Sequence, residues 1–381
     1  MNIFYRTIFA EDSPNIAVFN YFKNGFRNQP TDYYLRPFYV EAEKEIGFYQ
    51  PGNAPICLGS RLSLSVILNY AYKHAVAWNE NERFFGFFWS TSFTHDTFNL
   101  NPEGDTSVLE FLIRYRHSRA SNDTILIMTS DHGIRWGAFR ETYQGRLEER
   151  LPLLMFVLPE WFERQYPLAV AHLRLNQARL TTPFDVYSTL FDLADLDRSV
   201  EDSAIASRAA RDVSSRSRSL FLPIDVNRTC ETGGIPSTYC TCRNDAQILD
   251  VDDTRSAAAA QTIVTHLNGL LKDIPECAQL SIDKIEQISV ETPSTEEDGG
   301  GGSSMAENTS NNTVIAAATA SFFVITVRLR PGGGLFEGTL KYRDDATGYE
   351  LVGQVSRINT YGSQSFCVND STLKLYCYCR H

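Results

Sequence analysis

Two regimes of hydrophobic patterning divide the chain. Between residue 60 and about 200, short wholly apolar runs alternate with stretches whose apolar residues recur three and four apart. Phe84 to Trp89, Thr124 to Thr129 and Leu151 to Leu158 are the apolar runs, each read as a strand buried on both faces. A helix is predicted from a cap at Ser60 to about Asn79, and another after Asp105 or Thr106, where Val108, Leu109, Phe111, Leu112 and Tyr115 form one stripe. Two more cover about 159–177 and 182–194, the latter with Thr182 as cap and Pro183 at its first position. Strands of this kind alternating with helices predict an α/β fold, a parallel sheet covered on both sides. Residues 1–60 carry turn signals at Asp12-Ser13-Pro14, Asn28-Gln29-Pro30 and Gln50-Pro51-Gly52 and are read as irregular. Only three parallel strands are then in view, and such a sheet exposes apolar edges, so a piece of it looks absent.

Beyond residue 200 the pattern changes. A Ser/Arg-rich stretch, 197–219, leads to a cysteine cluster, a helix at about 256–272, and strand-type runs at 278–291, 314–330, 335–343 and 349–358. Pro331-Gly332-Gly333-Gly334 reads as a hairpin break, and 292–313, rich in Gly, Ser, Glu and Asn, as a flexible insertion. The expected organisation is an α/β part over 1–200 and a smaller disulfide-rich α+β module over 201–381.

Charge narrows the partners. A net charge of −11 argues against nucleic acid and anionic membrane. The longest apolar run, Val314 to Val327, is about 14 residues, too short to span a bilayer. The opening, with Arg6, Glu11 and Asp12 where a leader should be apolar, carries no signal peptide.

Cysteine usage points to an oxidising compartment. Of eight cysteines, Cys230, Cys240, Cys242 and Cys367, Cys377, Cys379 repeat one spacing, Cys-x9-Cys-x-Cys, leaving Cys57 and Cys277. Those after residue 229, Cys277 included, are disulfide candidates of open connectivity; zinc is the alternative for a Cys-x-Cys pair, without the usual Cys-x2-Cys partners. Sequons at Asn122, Asn227, Asn308, Asn311 and Asn369 are compatible with a glycoprotein.

The chemistry centres on Ser130-Asp131-His132-Gly133, just past a buried strand, the edge at which open α/β sheets bind ligands. A carboxylate beside an imidazole suits a divalent ion such as zinc or manganese, provided the chain turns there, for which Gly133 offers freedom. The plainer alternative is a loop in which Asp131 binds a backbone amide. Thr94-His95-Asp96 follows the Phe84–Trp89 strand and reaches the same edge if the two strands run parallel; His95 is then a metal ligand, an anion donor or an ordinary loop histidine. Arg140 to Arg150 holds Arg140, Arg146 and Arg150 among acids, either an anion-binding stretch or a solvated charged loop.

These runs carry a family resemblance. The strand ending in Ser130-Asp131-His132-Gly133, with Gly145-Arg146-Leu147-Glu148-Glu149-Arg150-Leu151-Pro152, resembles the alkaline phosphatase/sulfatase superfamily. More narrowly it is similar to an uncharacterised sulfatase-like family of animal extracellular proteins, a domain of unknown function; Phe19-Asn20-Tyr21, Pro30-Thr31-Asp32-Tyr33-Tyr34, the His95 loop and Tyr239-Cys240-Thr241-Cys242 match as well. The resemblance covers most of 1–245. It implies a partial alkaline-phosphatase-like sheet and hydrolysis of phosphoric or sulfuric esters with a divalent cofactor (zinc, manganese or calcium). Asp131 and His132 would be metal ligands, and His95 and Arg146 would face an anionic ester substrate. The location implied is extracellular or the secretory-pathway lumen, and the alternative partner is an extracellular ligand of a non-catalytic secreted protein. The family's nucleophile and first metal Asp follow an early apolar strand. No such strand ending in Asp is legible here, so the chain alone is expected to be inactive.

Overall fold

The computed structural model describes residues 5–78, 82–96, 98–211, 216–242, 247–252, 254–291, 322–343 and 348–380. It is an α/β mixture of parallel and antiparallel sheets, ending in an antiparallel sheet with disulfides. The chain forms two compact units. One comprises residues 1–134 and 152–167, the other 135–151 and 168–381. The change of sequence character near residue 200 is thus a compositional boundary, whereas the units are set by which segments pack together.

The first unit opens on a strand that patterning did not reveal. β1 (Tyr5–Glu11) is central in a three-stranded parallel sheet, between β2 (Tyr33–Tyr34) and β6 (Arg83–Trp89). Its apolar stretch, Ile8-Phe9-Ala10, is only three residues long and has charged residues on both sides, too short a signal for a strand. Tertiary pairing supplies what the pattern lacks, for Phe9 stacks between Tyr34 and Phe87, each ring centroid 5.6 Å away. α1 (Arg36–Ile46), with Pro37 in its first turn, follows β2. A small antiparallel ribbon of β3 (Phe48–Tyr49), β4 (Cys57–Leu58) and β5 (Arg61–Leu62) then leads into α2 (Ser63–Ala77). Ala10, Tyr39, Leu58, Ile67 and Phe93 meet in one core, where the Tyr39 hydroxyl donates to the Ser63 carbonyl at 3.1 Å.

α3 (Asn101–Arg116) begins a turn before the predicted Asp105 or Thr106, because Pro102 fits the first helical turn, where no N–H is needed. After the short α4 (Ala120–Asp123) comes β7 (Leu126–Thr129). β7 does not join the parallel sheet. It runs antiparallel to β8 (Leu154–Val157) in a separate pair, Leu126 opposite Val157 and Thr129 opposite Leu154. An apolar run does not encode direction, and here the connection, which contains α5 (Tyr143–Arg150) in the second unit, brings the chain back the other way. The expected burial on both faces does not hold either, since the residues of β7 and β8 are half-buried or exposed. α6 (Glu160–Gln165) closes the first unit; the single helix predicted over 159–177 is broken at Pro167, which starts α7 (Pro167–Leu175).

In the second unit α8 (Pro183–Ala194) is anchored by Asp185, which accepts from Thr182 N at 2.7 Å and from Arg228 Nη1 at 2.8 Å. The short α9 (Leu196–Ser199) and α10 (Asp202–Ala209) lead to the cysteine-rich part. There α11 (Thr254–Leu271) covers a five-stranded antiparallel meander of β9 (Gln247–Ile248), β10 (Ser281–Glu291), β11 (Phe322–Arg330), β12 (Gly334–Arg343) and β13 (Gly348–Arg357). Ile263 and Leu267 of α11 are fully buried with Ile288, Ile325 and Leu340, each worth about 2 kcal/mol of transfer free energy. The β11–β12 hairpin turns through Gly332 and Gly333 at φ 90° and 65°, a conformation that favours glycine. Residues 292–313, expected to be an insertion, lie outside the described residues.

Candidate functional site

β1 and β6 leave the parallel sheet side by side, Glu11 opposite Trp89. The next residue, Asp12, is fully buried and accepts from Ser90 Oγ and Ser92 Oγ, both at 2.6 Å, from Thr91 N at 2.7 Å and from Ser92 N at 3.3 Å. Burial pushes its carboxyl pKa up despite these bonds. An early strand followed by an aspartate therefore does exist, which corrects the sequence reading. Asp12 spends its oxygens tying two loops together, and Ser13 Oγ accepts from Ile16 N at 3.4 Å. Ser90-x-Ser92 after an apolar strand was the available clue.

The same loop positions His95. Its amide donates to Thr91 O at 3.2 Å, and its Nδ1 lies 2.9 Å from Asp96 Oδ1. Asp96 also accepts from Asn53 N, Asn53 Nδ2 and Ala54 N, at 2.6, 2.7 and 3.0 Å. Burial works to raise the Asp96 pKa, but the bonds from Ala54, Asn53 and His95 outweigh it and hold it below its ordinary value.

Asp131 and His132 stand beyond β7, where Ser130 continues the strand pairing through bonds to Leu153 at 3.1 and 3.2 Å. The chain turns after them without a left-handed residue, for Gly133 is not among the glycines of positive φ. Asp131 Oδ1 accepts from His132 N at 2.9 Å, Asp131 Oδ2 lies 3.2 Å from His132 Nε2, and His132 Nδ1 lies 2.6 Å from Gly133 O. An Nδ1–H donated to that carbonyl leaves Nε2 as the lone-pair atom, the arrangement that orients a metal-binding imidazole. Two donors 3.2 Å apart fit adjacent positions on one ion with bonds of about 2.0–2.2 Å. The side chains are 55% and 32% exposed. Among the described residues the sets of three or more ligand atoms within 4.8 Å are cysteine sets, so no third His, Cys, Asp or Glu joins this pair.

Arg146 belongs to the second unit, where its Nη2 donates to Glu291 and its side chain is 14% exposed. The neighbouring arginines are equally engaged: Arg140 with Glu149 and Glu337, and Arg150 with Glu337 at 2.8 Å. The charged stretch is neither a solvated loop nor an open anion cradle. It is a buried ion network. An acid at an inward strand position, Glu337 in Gly334–Arg343, was the signal for it, since such a charge requires a buried partner. α5 can lie against its own preceding loop because Gly145 lacks a Cβ, which would collide with the Phe139 carbonyl.

Six of the seven disulfide candidates are joined, as Cys230–Cys240, Cys277–Cys377 and Cys367–Cys379. Cys242 stands outside these bonds, as does Cys57. Among the described residues no helix is long and apolar enough to cross a membrane.

The family model described as protein of unknown function (DUF229) matches residues 3–286, about three-quarters of the chain. The chain belongs to the DUF229 family. The match takes in β1, the His95 loop, the Asp131–His132 turn and the first cysteine triad, and it ends within β10, so β11 to β13 and the second triad lie beyond it. No curated protein and no solved structure matches this DUF229 chain.

Proposed function

We propose that this DUF229 protein is part of a metal-dependent hydrolase of phosphoric or sulfuric esters, with Asp131 and His132 holding a divalent ion. The observation that carries the reading is the 3.2 Å approach of Asp131 Oδ2 to His132 Nε2 while Nδ1 is engaged by the Gly133 carbonyl. Bound there, zinc, manganese or calcium would polarise an anionic ester and activate a nucleophile. His95, oriented through Asp96, is the proposed substrate-facing imidazole. Arg146, paired with Glu291 within the second unit, is given no part in the proposal. A location outside the cell or in the secretory lumen accords with three disulfides.

A second reading, a non-catalytic secreted binding protein, is favoured by the donor count. Among the described residues the two protein ligands fall short of the three that catalytic metal sites use, and metal binding without turnover is expected of this chain. Calorimetry with zinc, manganese and calcium, on the wild type and on Asp131→Ala, tests the site. Heats unchanged in the variant would remove the metal assignment. Turnover of generic phosphate or sulfate esters by the chain, lost in Asp131→Ala, would remove the non-catalytic reading.

A further inference from the structure

The two cysteine triads share one spacing and differ in pairing. Cys367-x9-Cys377-x-Cys379 joins its first cysteine to its third, and its second bonds the distant Cys277. Cys230-x9-Cys240-x-Cys242 joins its first to its second, and Cys242 is in no disulfide. Yet the three sulfurs of this first triad all lie within 4.8 Å of one another. A thiol held beside a disulfide is the starting arrangement for thiol–disulfide exchange. The rings in competition are nearly equal: the Cys230–Cys240 bond spans 10 residues, and a first-to-third bond spans 12, as Cys367–Cys379 does. Loop-closure entropy therefore hardly separates them. The second triad also demonstrates that this spacing closes as a first-to-third ring in the same chain.

We propose that Cys230, Cys240 and Cys242 form a thiol–disulfide exchange site in which Cys242 displaces Cys240 from Cys230. The Cys242 thiol gives its proton to solvent and its thiolate attacks Cys230 Sγ. The Cys230–Cys242 bond forms as the Cys230–Cys240 bond breaks, and the departing Cys240 thiolate takes up a proton. One S–S bond is made and one is lost, so no oxidant or reductant is consumed. Burial raises the Cys242 thiol pKa, which slows the exchange by keeping the thiolate scarce. The product has the pairing of the second triad, and it moves the thiol from the exposed Cys242 to the half-buried Cys240. Cys240 then holds the place from which its counterpart, Cys377, bonds Cys277.

The full chain, purified without reductant, is held at pH 8, quenched in acid, labelled with N-ethylmaleimide and digested. Fragmentation by electron transfer then locates the label. Label on both Cys242 and Cys240, each in at least about a tenth of the molecules, is the expected result for near-equal rings. Label on Cys240 in fewer than that overturns the proposal. A thiol count on Cys240→Ser provides the second measurement. The variant is first air-oxidised, oxygen taking up the two electrons, and the expected count is then one, Cys57, because Cys230 and Cys242 close on each other. A count of three, with Cys230 and Cys242 left reduced, overturns it. Should this variant not fold, the label distribution in the wild-type chain decides alone.

Discussion

Arg140 and Glu337 are 197 residues apart in sequence and joined by two hydrogen bonds, Nη2 to Oε1 at 2.9 Å and Nη1 to Oε2 at 3.2 Å. The arginine side chain is 1% exposed and the glutamate 8%. Arg150 shares the same carboxylate and Glu149 the same guanidinium, so removing one member strands a charge that the others were arranged around.

Arg140→Ala is accordingly expected to cost about 3–5 kcal/mol, the usual price of leaving a buried ion without its partner. Urea unfolding followed by fluorescence measures it. A cost below about 1 kcal/mol, the range of surface pairs, would show that the network is solvated after all. Burial raises the Glu337 pKa, but Arg140 and then Arg150 overcome this and hold it below its ordinary value. Its contribution is therefore complete above the unfolded carboxylate pKa and is lost as pH falls through the folded one. The stability gap between wild type and Glu337→Gln should close on acidification.

Glu11 has the opposite sign. Burial pushes its carboxyl from 4.5 up to about 7, against the bond that Val18 N donates to Oε1 at 2.6 Å. Between those two values the folded protein holds a proton that the unfolded chain has lost, so stability falls as pH rises through the window. Glu11→Gln should be stabilising by about 1–3 kcal/mol at pH 8 and close to neutral at pH 4. Thermal unfolding at the two pH values is the measurement, and an equal effect at both would contradict the assignment.

For the proposed metal site, Asp131→Ala and His132→Ala should each weaken zinc binding by at least about tenfold. Both side chains are partly exposed, so neither variant should shift the unfolding midpoint of the metal-free chain appreciably. A large midpoint shift would mean that the pair serves the fold instead.

The disulfides should rank by ring size. Cys277–Cys377 closes 100 residues and Cys367–Cys379 closes 12. Chain entropy then predicts losses of about 4.7 and 3 kcal/mol when each pair is replaced by alanines. Denaturant titration of the two double variants gives the order, and a reversed order would place the effect in the native state.

Much of this was legible from local pattern. Short apolar runs located β6, β7 and β8, strand-type stretches of mixed polarity located the long strands of the meander, and Thr182 with Pro183 located α8. Such features are written in neighbouring residues, through period, caps and prolines, and the Asp131–His132 turn is of this kind because its two groups are adjacent in the chain. β1 was not legible, since its burial comes from Tyr34 and Phe87 and not from its own composition. Strand direction was not legible either: nothing in Leu126–Thr129 says that it runs antiparallel to Leu154–Val157. Nor could spacing reveal that Arg146 faces Glu291, or that two identical cysteine triads pair differently. The sequence by itself determined most of the strands and helices beyond residue 60 and which residue types are available for chemistry. Tertiary structure decided which charges neutralise one another and which sulfurs meet, because those energies depend on distances in space that spacing along the chain does not set.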